Sequence, residues 1–256
     1  MQAPIKFIIH LADDSLLMSQ RLGEWTGHGP ALEQDIALTN IGLDLLGQSR
    51  LFYQLAATRI NEERVKADFV PQATYPISED DLAYHRVENQ FASHLLVELP
   101  NGHWGQTILK LAFFARWQQL VYTQLLGCAD EAVAAIAEKS LKEVQYHVKW
   151  SGDWVVRLGD GTTESHEKIA EALDFVWPFT GDLFEQTDWN SSLINWVICH
   201  QNWQQAVNEL LYHATLAVPV KPGTQSGGLR GVHTEYLGYI LAEMQYLQRV
   251  YPGNEW

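Results

Sequence analysis

The chain has 256 residues, of which 46% are hydrophobic, and its 31 acidic against 17 basic residues give a formal charge of −14. That apolar share suits a substantial core, whereas the negative charge, with no Lys/Arg cluster to offset it, excludes a nucleic-acid partner whose phosphates it would repel. No apolar run is long enough and free enough of charge for a signal peptide or a membrane span, so a soluble, cytoplasmic protein without membrane contact is expected.

Helical spacing of apolar residues, punctuated by sparse prolines, predicts helices over 4–27, 30–60, 80–98, 103–127, 130–158, 165–185, 192–215 and 233–250. No segment has the period-two alternation of a strand. The expectation is an all-α helical bundle forming a single domain over 1–256. The second helix opens near Pro30 and, at 1.5 Å per residue, would span about 45 Å. Its apolar residues Ile36, Leu38, Ile41, Leu43, Leu45 and Leu46 lie on more than one face, which predicts a helix surrounded by others. The least regular stretches are 61–79, with two prolines, and 217–232, whose "GGLRG" lacks the lysine and preceding strand of a phosphate-binding loop and reads as a flexible or partner-ordered connection.

The stretch "LKEVQYHVKW" sets Glu143 and His147 four residues apart. On the helix 130–158, Ile136, Ser140, Glu143, His147, Trp150 and Trp154 share one face, and Glu138, Lys142, Gln145, Lys149 and Asp153 form a solvated one. An inward glutamate needs a partner, because an unpaired buried carboxylate is costly. On the long second helix Asn40, Asp44 and Gln48 share a stripe, with Asp44 and Gln48 repeating the four-residue spacing; Glu88, in a stripe with Tyr84, Phe91 and Leu95, and Glu24 are further acids on neighbouring helices. The set imitates a di-iron core, which takes Glu-x-x-His from each of two helices and a glutamate from each of two others. No Asp or Glu in the chain is followed three residues later by His: Tyr146 stands three after Glu143, and Gly47 three after Asp44. The spacing therefore predicts a metal-free polar network of Glu24, Asp44, Gln48, Glu88, Glu143, Tyr146 and His147. The other reading is a divergent, self-sufficient di-iron oxygenase that uses Glu24, Asp44, Glu88, Glu143 and His147 at unusual spacing.

Acid and histidine also stand four apart at Asp81/His85, Glu209/His213 and Glu24/His28, where local carboxylate–imidazole hydrogen bonds are expected without metal. His10, His94, His103, His166, His200 and His233 have no spacing that makes them a set. Cys128 and Cys199 form no C-x-x-C and are expected to be small buried hydrophobes. Ten tryptophans exceed what the core requires and point to a partner interface.

"SQRLGEWTGHGP", "NIGLDLLGQSR", "LLVELPNG", "KEVQYH" and "HTEYLGYILAEMQYLQRV" resemble the C subunits of bacterial phenylacetyl-CoA ring epoxidases, the phenylacetic acid degradation proteins, over essentially the whole chain and least at 61–79. The resemblance implies a ferritin-like fold with additional flanking helices, pairing with a homologous A subunit that carries the di-iron centre and binds the CoA thioester. It further implies a small B subunit and a reductase with flavin, an iron–sulfur cluster and NADPH, in a monooxygenase complex that converts the aromatic ring to its epoxide. In that family the C subunit is the structural partner, with no catalytic residues or cofactor of its own.

Overall fold

The computed structural model describes residues 2–65, 70, 74–252 and 254. Residues 66–69 and 71–73 of the irregular segment 61–79, and the terminal Trp256, lie outside them. Ten α-helices and no strand occur among the described residues: α1 (Ile5–Gly23), α2 (Leu32–Glu63), α3 (Glu79–Tyr84), α4 (Leu95–Glu98), α5 (Trp104–Leu125), α6 (Glu131–Gly159), α7 (Thr163–Val176), α8 (Trp196–His213), α9 (Glu235–Met244) and α10 (Tyr246–Val250). The fold is an all-α, ferritin-like bundle. Its centre is α1 packed along α2 and α5 packed along α6, with α2 meeting α6; α7 and α8 flank α5. No helix among the described residues is long and apolar enough to cross a membrane.

Sequence accounts for most of these boundaries. Asp130 caps α6, accepting from the backbone of Val133, and also takes Arg59 at 2.7 Å and the backbone N–H of Ala3 at 2.7 Å, which ties three elements together. Ser78, Thr162 and Asn195 cap α3, α7 and α8 with their side chains. The inner face of α6 repeats at steps of four and three through Val133, Ala137, Ser140, Val144, His147, Ser151 and Val155, all buried. Glu138, Lys142, Gln145, Lys149 and Asp153 face water as expected.

Four expectations need correction. The helix predicted over 80–98 is broken: after α3 the chain passes through a 3₁₀ turn at 88–90 and an extended stretch before the single turn of α4. The reason is that the backbone N–H groups of Ala92, His94 and Leu95 bond to the carboxylates of Asp13, Asp14 and Asp182, so side chains replace the helical ladder. The helix predicted over 165–185 ends at Val176, where Pro178 turns the chain into a 3₁₀ segment. The last helix divides at Gln245, whose buried amide donates to the carbonyl of Arg86. Finally, α2 is not surrounded: Leu38, Ile41 and Leu45 are buried, but Ile36, Leu43 and Leu46 are 52%, 60% and 39% exposed, an apolar stripe facing outwards. The loop 217–232 is tied down at several points, its Thr224 and Gln225 N–H groups bonding to the carbonyl of Pro178.

Candidate functional site

The layer where α1, α2, α5 and α6 meet is polar. Gln48 donates to Glu143 Oε2 at 2.9 Å, and the Gln118 amide lies 3.0 Å from both Gln48 Oε1 and the Tyr122 hydroxyl and 3.4 Å from Ser15 Oγ. Beside it, His147 Nε2 lies 3.0 Å from Asp44 Oδ2. Ser15, Gln48, Gln118, Tyr122 and His147 are buried, while Glu143 and Asp44 are half-buried. Burial pushes the Tyr122 hydroxyl above its ordinary value, so it stays a neutral donor.

Four of the seven predicted residues, Asp44, Gln48, Glu143 and His147, thus come together, each bond running between α2 and α6. Glu143 and His147 reach across to Gln48 and Asp44, and not to each other as local pairing would have it. The other three lie elsewhere. Tyr146 is 49% exposed on the outer side of α6. Glu24, beyond the end of α1, takes Arg21 at 2.7 Å and Asn101 at 2.8 Å. Glu88 is exposed in the 3₁₀ turn, because the helix expected to carry it inwards does not form. Of the other acid–histidine pairs, Asp81 and His85 do bond locally at 3.0 Å, whereas Glu209 accepts from Gln205.

The inward register differs from the one the spacing suggests. Gly47, like Tyr146, is exposed, and a Cβ at Gly47 would meet nothing within 4 Å. The inward pairs three residues apart are Leu45/Gln48 on α2 and Val144/His147 on α6, all four buried. A di-iron centre asks for glutamates at the first position of each pair and histidines at the second, with a glutamate from each of two further helices. Here leucine and valine hold the acid positions, one imidazole remains, and α1 and α5 offer Ser15 and Gln118. Hydroxyls and amides bind such ions poorly, so these residues do not fit a di-iron centre.

A second polar cluster, at the extended segment over α1, has no counterpart among the sequence-based expectations. Asp13 is wholly buried and bound to Arg86, to the Tyr53 hydroxyl at 2.6 Å and to the backbone of Ala92. Glu98 accepts from His233 Nδ1 at 2.6 Å and from the N–H and hydroxyl of Thr234. Asp14 meets His94, whose Nδ1 lies 2.6 Å from Oδ2, with His10 Nε2 at 3.8 Å. Burial raises the Asp14 carboxyl to about 7 and lowers His94 to about 3, and it lowers His10 as well. The signal available in sequence is His10 four residues before Asp14, an imidazole and an acid on one helix face in reversed order. Cys128 and Cys199 are free thiols, half-buried and buried.

A sequence model of the family described as phenylacetic acid catabolic protein matches residues 1–256. The C subunit of the 1,2-phenylacetyl-CoA epoxidase of Escherichia coli (strain K12) is 42% identical over 256 residues, which cover 98% of this chain and 98% of that protein.

Proposed function

This chain belongs to the phenylacetic acid catabolic protein family, and on that premise we propose that it is the structural, non-catalytic subunit of a phenylacetyl-CoA ring epoxidase complex in aerobic phenylacetate degradation. The carrying observation is the inward register of α2 and α6, where Leu45 and Val144 occupy the positions at which a di-iron protein presents carboxylates. The residual network of Asp44, Gln48, Glu143 and His147 then serves as a polar tie between the two helices. The contiguous core supports reading 1–256 as one domain. The partner is a homologous A subunit that holds the di-iron centre, and the complex is completed in the cytoplasm by a small B subunit and a reductase carrying flavin, an iron–sulfur cluster and NADPH. The exposed stripe of Ile36, Leu43 and Leu46 on α2 provides apolar surface for such assembly, and without its partner the chain has the same surface available for a homodimer.

The test uses the full chain alone and with its A-type partner. Alone, loaded with iron under reducing conditions, it should hold no iron pair and yield no epoxide from phenylacetyl-CoA; co-expressed, it should co-elute with the A subunit. Two irons per chain that disappear in Glu143→Gln, with assembly intact, would overturn the reading. So would a chain that stays a lone homodimer in the presence of the A subunit.

A further inference from the structure

His10 is wholly buried, and its ring makes one hydrogen bond: Nδ1 lies 2.6 Å from the carbonyl of Ala92, so that nitrogen carries the proton. Nε2 is therefore a bare acceptor. It has no hydrogen-bond partner, and 3.8 Å away it faces another acceptor, Asp14 Oδ2. Two buried acceptor atoms thus face each other across a gap too long for a hydrogen bond, with no donor between them. His94 Nδ1 lies on the same carboxylate oxygen at 2.6 Å. These three donor atoms lie within 4.8 Å of one another, the one such His/Cys/Asp/Glu group among the described residues.

We propose that His10, Asp14 and His94 form a structural site for a divalent cation of the zinc type, pinning the extended segment after α3 to the middle of α1. Two imidazoles and a carboxylate are a set that this ion takes with a water as its fourth ligand. Tetrahedral bonds of about 2.0–2.1 Å put neighbouring donors about 3.4 Å apart, and the distances of 2.6 and 3.8 Å bracket that edge. The Ala92 carbonyl on Nδ1 is the outer partner that commonly fixes a ligating histidine's tautomer. Charge agrees: Asp13 has Arg86 and Glu98 has His233, but Asp14 has no guanidinium or ammonium partner. Asp182 is also buried, with its Oδ1 unpartnered. Trp117 edges both imidazole rings and Trp189 packs on His10. The site is independent of the polar layer between α2 and α6, and it departs from the expectation of a metal-free chain.

Because the donors are buried, loading is tested through refolding. The full chain, freed of any affinity tag, is unfolded in urea and refolded with zinc or with EDTA, desalted, and measured for bound metal and melting midpoint. The zinc-refolded protein should retain about one ion per chain and melt higher than the EDTA-refolded protein. His10→Gln and Asp14→Asn should lose the ion and melt alike in zinc and EDTA, while His147→Gln keeps it. Should both ligand variants fail to fold, cobalt in the wild-type chain decides: ligand-field absorption with quenched tryptophan emission supports the site, and neither signal overturns it. Less than a tenth of an ion per wild-type chain with identical melting overturns it, as does an ion that survives in His10→Gln or leaves with His147→Gln.

Discussion

Asp13→Asn should be among the most damaging single substitutions in this chain. The carboxylate is fully buried and accepts from both terminal nitrogens of Arg86, from Tyr53 and from the backbone of Ala92. Arg86 is also fully buried, with its guanidinium 4.0 Å from the Phe91 ring centroid and its remaining donors on the main-chain carbonyls of Leu82 and Gln90 and on the Tyr53 hydroxyl. The asparagine keeps the shape, removes the countercharge and turns an amide N–H towards an N–H donor. Breaking a buried pair from one side costs about 3–5 kcal/mol, a large part of the roughly 5–15 kcal/mol that holds a typical domain together. Removing both partners costs much less, since no orphaned charge remains, so Asp13→Leu combined with Arg86→Met should be milder than the sum of the two single changes by about 2 kcal/mol or more. Urea unfolding followed by circular dichroism and tryptophan fluorescence measures all four corners of the cycle. A single-variant loss under about 1 kcal/mol, or additive effects, would refute the assignment of Arg86 and Asp13 as a desolvated pair.

Lys110 is buried with Nζ on the carbonyl of Leu99 at 2.6 Å, and burial, reinforced by Arg21, lowers it from 10.5 to about 7. Between those two values the unfolded chain holds a proton that the folded chain has released, so stability should rise with pH across that window, by at most about 1.4 kcal/mol per pH unit. Lys110→Met should flatten that rise in urea midpoints measured from neutral to alkaline pH; an unchanged slope contradicts the lowered value. A Cβ at Gly228 would stand 1.9 Å from the carbonyl oxygen of Ser93. Gly228→Ala should therefore destabilise by about 1–3 kcal/mol, whereas Gly47→Ala, in open space on α2, should stabilise by about 0.5–1 kcal/mol. A destabilised Gly47→Ala would show that this position does not face solvent.

The long helices are legible in the sequence because their stripes are unambiguous. The burial of His147 and the solvated face of α6 follow from spacing alone, and so does the partnership of that helix with α2 through Asp44, Gln48 and Glu143. The register is harder. At 3.6 residues per turn, residues four apart lie about 40° and residues three apart about 60° from one another, so spacing says that two residues share a face without fixing where that face points. Spacing makes Glu143 and His147 equally inward, yet Glu143 is at the margin and Val144 is the buried neighbour. One residue of rotation separates a carboxylate that could ligate from one that borders water. Ser15, Gln118 and Tyr122 stay hidden because a serine, an amide and a phenol in apolar helices carry no signal until a partner helix is placed opposite.

The cluster on α1 is invisible in the sequence for a different reason. Every residue from Phe7 to Ser19 is buried, so this helix has no solvated face for a periodicity to reveal. In "FIIHLADDSLLM" the two aspartates look like a polar face, which on most helices they would be. What buries them is a segment some 80 residues later that forms no regular structure. The two halves explain each other: extended backbone in a core must find acceptors for its N–H groups, and carboxylates in a core must find donors. Neither half makes sense alone, which is why 80–98 reads as a helix and nothing in the spacing marks Asp13 and Asp14 as buried. A helix–carboxylate–strap arrangement of this kind is specified by pairing across the chain, and it concentrates the buried charge of the protein at α1, away from the α2–α6 layer to which the family resemblance points.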